Sequence, residues 1–252
     1  MNRAGTGRMA RGDRTFFQRL AAHRPLPLAH VVGSPTVESD AVIRRRRVVA
    51  LSTTVCGTSL LGASLSAPVG SRRFYLSTAA VASAWTIGGV ASGPLHLGWI
   101  ESHDARLRRP VLTPMVTGVG AFALFYVGAL IARHIPVLDR ALTSVLSYAH
   151  QGDTRLVYAT TLANGLGEEV FFRGALYAAF SDHRPVVRTT ATYAVATAAT
   201  RNPALVIAAT VMGALFGLQR RASGGIQAST ITHMVWSTLM LRFLPPVFRD
   251  AP

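Results

Sequence analysis

Residues 48–67, VVALSTTVCGTSLLGASLSA, follow directly on Arg44, Arg45, Arg46 and Arg47. An apolar run of about 20 residues is the length a helix needs to cross the hydrocarbon core of a bilayer. Further apolar runs occupy residues 74–93, 111–132, 155–180, 186–200, 203–219 and 225–244, most of them bounded by short polar or arginine-bearing segments. IPVLDRALTSVLSYA at 135–149 differs: its apolar residues recur at helical spacing, with Asp139 and Arg140 on the other face. That pattern predicts an amphipathic helix, interfacial or re-entrant. The expected fold is all-α, a polytopic membrane helical bundle of about seven spanning helices plus one amphipathic helix. Pro203 suits a helix start, and Gly224 with Gly225 suits a turn.

Composition agrees. Half of the residues are apolar and 15% are charged, against about 25% charged in ordinary soluble domains. Mean hydropathy is +0.32. The formal charge of +15 does not argue for nucleic acid as a partner, because the basic residues, all arginine, gather at the ends of apolar runs where lipid head groups would meet them. Their distribution orients the chain. The segment before the first run, the 94–110 loop, the 181–188 loop and the 219–224 loop carry most of the arginines. The positive-inside rule then puts the N-terminus in the cytoplasm, and the expected location is the plasma membrane of a bacterium. Four regions follow: a basic, disordered arm at 1–43, two spans and a loop at 44–110, a membrane core at 111–244 and a short tail at 245–252. TFFQRLAAHR at 15–24 could lie on the membrane as a short amphipathic helix or belong to a structureless arm. Cys56, the one cysteine, excludes an intramolecular disulfide and reads as a small buried hydrophobe.

GEEVFFRG at 167–174 places Glu168, Glu169 and Arg173 in the middle of a predicted membrane helix. An unpaired charge there costs at least ~2.5–3.5 kcal/mol. Glu169 and Arg173 are four residues apart and can pair on one helix face. Glu168 is rotated from Glu169 by about 100° and can face a water-containing cavity as a general base. One arginine cannot neutralise two carboxylates, so the pattern points to chemistry beyond a structural ion pair.

The string EEVFFR followed by Gly174 resembles the EExxxR motif of the CAAX-protease and bacteriocin-processing (CPBP, ABI) family, glutamic intramembrane proteases related to the type II CAAX prenyl endopeptidases. HMVWS at 233–237 resembles the family's late HxxxN motif, and QRRASGGIQASTIT at 219–232 resembles its approach to that helix. The resemblance covers residues 110–244. It implies an endopeptidase in which Glu168 activates a water while Glu169 and Arg173 orient the site. The substrate would be a membrane-embedded or lipid-anchored peptide. His233 and Ser237 would donate to the developing oxyanion. The family's second motif, FxxxH, is matched at Tyr193 and Thr197, so threonine stands at the histidine position and cannot act as a base. Serine replaces asparagine at 237.

Two rival readings keep the same residues. Thr197 fits a catalytically silent scaffold that binds a membrane partner, and Glu168 with His233 could serve a small transporter. No cofactor is expected. Zinc on Glu168, Glu169 and His233 would lack the second histidine and the HExxH pattern of zinc peptidases. Asn164, one turn before Glu168, is read as a bond to a neighbouring helix. Gln219, Arg220 and Arg221 are read as a solvated helix end. Ala209, Gly213 and Gly217 are read as a small-residue face for close helix packing.

Overall fold

The computed structural model describes residues 39–101, 107–181 and 184–248. The expectations for the arm and its amphipathic helix lie outside these residues. The described helices are α1 (Asp40–Ser64), α2 (Arg72–Ala91), α3 (Leu112–Ala132), α4 (Pro136–Gln151), α5 (Thr154–Glu168), a π-helical segment (Glu169–Leu176), α6 (Tyr177–Ala179), α7 (Pro185–Ala198), α8 (Pro203–Ser223) and α9 (Gln227–Phe243). Two two-residue strands, β1 (Ile100–Glu101) and β2 (Leu107–Arg108), form a small antiparallel hairpin between α2 and α3. A single 3₁₀ turn, Pro245–Phe248, follows α9.

Helix ends follow local chemistry. Ser71 accepts a hydrogen bond from Phe74 N (3.1 Å), Asp153 from Leu156 N (3.0 Å) and Asn202 from Leu205 N (3.1 Å). Each is an N-cap that satisfies an otherwise orphaned amide. Pro203 is the first residue of α8, and Gly224 ends that helix at φ 70°, a left-handed conformation that side chains with a Cβ disfavour.

The described helices α2, α3 and α8 are long and apolar enough to cross a membrane. The α3 helix carries exposed Leu112, Val116, Val119 and Leu124, an outward apolar surface suited to lipid. The arginines at 44–47 lie inside α1, which starts earlier than the apolar run, and α7 is only 14 residues long. The protein is an all-α helical membrane protein.

Packing in such a bundle comes mainly from close contact and interhelical hydrogen bonds, because lipid is as apolar as a leucine side chain. The closest pairs are α7 with α8, α3 with α9, α1 with α2, and α2 with α5. Trp85 on α2 stacks on Phe171 (ring centroids 4.8 Å apart) and lies against Phe172 (5.0 Å). These rings, with Ala50, Val81, Ala175, Tyr193 and Ala196, make the main core around the π segment. The small-residue face of α8 packs closely on α7: a methyl on Gly213 would sit 3.2 Å from Thr190 Cγ2, and one on Gly217 3.0 Å from Val186 Cγ1.

Two expectations are overturned. Cys56 is exposed, not buried. The inward stripe of α1 runs through Arg46, Ala50, Thr53, Gly57 and Ser64, and Cys56 is rotated off it. Gln219 is buried and its amide donates to Thr232 Oγ1 (2.8 Å), which in turn donates to Pro114 O (2.9 Å). Arg220 Nε donates to Arg173 O (2.9 Å). The end of α8 is thus a junction between helices rather than a solvated terminus.

Candidate active site

The helix carrying EEVFFR is continuous from Thr154 to Ala179, but it changes from α to π at Glu169. Such segments are uncommon and are found often at functional sites. All eight π residues are buried. The carbonyl of Arg173, within it, accepts the hydrogen bond from Arg220.

Glu169 and Arg173 are fully buried and paired, with Nη1 3.1 Å from Oε1. Arg173 Nη2 also donates to Gly213 O (3.2 Å). Its guanidinium carbon lies 4.9 Å from the ring centroids of both Tyr193 and Phe216. A buried charge becomes tolerable when it is paired and hydrogen-bonded; here Glu169 takes Nη1, a backbone carbonyl takes Nη2 and two aromatic faces flank the guanidinium, while Nε has no hydrogen-bond partner among the described residues.

His233 arrives from α9. Its Nδ1 is 3.1 Å from Glu169 Oε1, the same oxygen that Arg173 binds. A carboxylate held by a guanidinium is an acceptor, so the proton of a neutral imidazole belongs on Nδ1. The ring stacks on Phe216 at 4.8 Å. Its other nitrogen, Nε2, points to Glu168 Oε2 at 4.0 Å. This gap is too long for a hydrogen bond and is one that a bridging water can fill.

The side chain of Glu168 is 14% exposed, whereas that of Glu169 is sealed. Glu168 opens onto a cavity of about 340 Å³. Tyr193, Thr197, His233 and Ser237 line the same cavity, and much of the remaining wall is apolar, including Leu61, Phe74, Leu146 and Leu244. Tyr193 O–H donates to Glu168 Oε2 at 2.5 Å. Thr197 Oγ1 donates to Tyr193 O (2.8 Å), the carbonyl one turn back on its own helix. Asn164 makes the expected bond to a neighbouring helix, Nδ2 donating to Thr78 O on α2 (3.0 Å), and also lines the cavity.

Every residue singled out from the motifs, Glu168, Glu169, Arg173, Tyr193, Thr197, His233 and Ser237, therefore falls in one neighbourhood drawn from the α5–π helix, α7 and α9. Sequence reasoning gave Tyr193 only the place of an aromatic spacer and missed its phenol as a partner of Glu168. The tyrosine hydroxyl itself was the available signal. It also missed Gly165, where a methyl would sit 3.3 Å from His233 Nε2.

Fold and site together define a helical membrane protein with a carboxylate–imidazole centre buried between its helices. The family model described as "Rce1-like: Type II CAAX prenyl endopeptidase Rce1-like" matches residues 151–239, a segment that includes all seven of these side chains. The match bears out the resemblance to the CAAX-protease family, which is a family of proteases. Searches of curated proteins and of solved structures returned no match.

Proposed function

We propose that this protein is an intramembrane endopeptidase that hydrolyses a peptide bond in a membrane-embedded or lipid-anchored substrate, with Glu168 activating the water. The observation that carries this reading is the division of labour between adjacent carboxylates. Glu169 is sealed and holds Arg173 and His233 on one oxygen, and Glu168 faces the cavity.

A water between Glu168 Oε2 and His233 Nε2 would be held by two acceptors, with its oxygen lone pair directed at a substrate carbonyl carbon. His233 then serves the water and not the oxyanion, contrary to what the family resemblance implied, because its neutral-form proton is on Nδ1 and faces Glu169. As the oxygen–carbon bond forms, the water proton passes to Glu168 and the carbonyl π pair becomes the oxyanion. Ser237, one turn beyond His233, supplies a hydroxyl donor on the same wall. A donor aimed at the oxyanion is worth ~2.7–4 kcal/mol. Glu168 then returns its proton to the leaving nitrogen and the carbon–nitrogen bond breaks, giving an amine and a carboxylic acid, whose remaining proton passes to the amine or to water. No covalent enzyme intermediate is needed. The apolar cavity wall would seat apolar substrate groups, and water-poor surroundings strengthen each polar interaction.

The donor set does not suit zinc. A catalytic zinc normally takes three protein ligands, usually with more than one nitrogen or sulfur, whereas this cluster offers a single imidazole beside two carboxylates, one of them paired with Arg173. A cation there would also face Arg173. The proposed mechanism therefore uses no cofactor.

One observation favours the scaffold reading: the Thr197 hydroxyl is spent on its own helix, so the second-motif position offers no base. The test for both is a comparison of peptide termini in membranes carrying wild-type protein or Glu168→Gln at matched expression. Endopeptidase action yields new ends only with wild type. Identical ends, under conditions where loss of the protein has a phenotype that Glu168→Gln rescues, would leave the scaffold.

A further inference from the structure

We propose that Tyr193 is a positioning residue for the Glu168 carboxylate, doing with a phenol what the threonine one turn later cannot do. The role in catalysis rests on the endopeptidase reading, whereas the contact itself can be tested without any substrate.

Three observations converge. The Tyr193 hydroxyl donates to Glu168 Oε2 at 2.5 Å, a short charge-assisted bond when the carboxylate is ionised. The tyrosine ring has little freedom, since Phe172 lies 4.7 Å from its centroid and the Arg173 guanidinium 4.9 Å. Thr197, although it lines the cavity, gives its proton to Tyr193 O. Its proton is therefore not offered to Glu168.

The consequence is geometric. An ionised carboxylate has about four lone-pair sites. Tyr193 occupies one and sets the plane of the group, leaving the others for water. His233 sits 4.0 Å from the same oxygen, so phenol and imidazole flank Glu168 from α7 and α9. Around Tyr193, Glu168 receives the hydroxyl, the Arg173 guanidinium lies over the ring and Gly213 of α8 lies beside it.

The experiment uses the purified full chain in lipid nanodiscs. The infrared carboxyl band of Glu168 is identified as the one missing in Glu168→Gln and is followed through a pH titration. Tyr193→Phe, which removes only the hydroxyl, should move the titration midpoint by about one pH unit. Thr197→Val should leave it in place. Fluorotyrosine at 193 keeps ring and hydroxyl while changing the acidity, and it should move the midpoint even if Tyr193→Phe fails to accumulate. An unchanged midpoint in every Tyr193 variant overturns the proposal. In membranes, the peptide ends that depend on Glu168 should fall about 100-fold in Tyr193→Phe, the scale of loss expected from a misplaced catalytic group. Undiminished cleavage would overturn the positioning role. If wild type yields no such ends, the endopeptidase reading fails, and the infrared midpoint still decides whether Tyr193 holds Glu168.

Discussion

His233 Nδ1 and Arg173 Nη1 both lie 3.1 Å from one oxygen of Glu169. A single fully buried carboxylate thus fixes an arginine of its own helix and a histidine of α9. Among the described residues, the neighbouring Glu168 has no cation within hydrogen-bonding distance.

This asymmetry predicts different costs for two similar substitutions. Glu169→Gln leaves Arg173 as a buried charge without its counter-ion, and breaking such a pair costs about 3–5 kcal/mol. Glu168→Gln removes no counter-ion. Thermal unfolding of the purified proteins should show a large drop in Tm for Glu169→Gln and little change for Glu168→Gln. Equal Tm values would mean that Glu169 does not neutralise Arg173.

Ser237 is expected to serve turnover rather than folding. Ser237→Ala should lower the rate at which Glu168-dependent peptide ends accumulate by about 10²–10³-fold, the loss typical of an oxyanion donor. Ser237→Asn, which retains a donor, should keep measurable cleavage. Full activity in the alanine variant would remove Ser237 from the oxyanion position.

Gly165 sets the approach of α9 to α5. A methyl there would meet Met234 Cε at 2.6 Å and His233 Nε2 at 3.3 Å. Gly165→Ala should cost about 1–3 kcal/mol through overpacking and should displace His233 from Glu168. The expected result is a fall in cleavage larger than that in Thr197→Ala, which touches neither group. Cleavage at the wild-type rate would show that α9 can shift without consequence.

Thr197 carries the sharpest difference between position and chemistry. Among the described residues its hydroxyl donates to the Tyr193 carbonyl and not to Glu168, so Thr197→Val should change Glu168-dependent cleavage by less than about tenfold, the equivalent of ~1.4 kcal/mol. A loss as large as that of Glu168→Gln would make Thr197 a direct participant.

Much of the helical order is legible from local chemistry. Pro203, with Asn202 before it, marks the start of α8, and Gly224 marks its end. The spacing of Glu169 and Arg173 marks an intrahelical pair. These features need only neighbours three or four residues away, so the sequence carries them directly. The π segment has no comparable mark. EVFFRGAL contains no proline, and its change of winding accompanies packing of Phe171 and Phe172 against Trp85 from a distant helix.

The same boundary divides the site. Residue identity and spacing alone determined that Glu168 and Glu169 face different directions and that only one of them can be neutralised by Arg173. Tertiary structure decided which carboxylate meets which partner: His233, 64 residues away, takes Glu169, and Tyr193, 25 residues away, takes Glu168. It also decided that Gln219 is buried and Cys56 is not. Helical periodicity specifies a face, but the identity of the helix lying against that face depends on how the whole bundle closes.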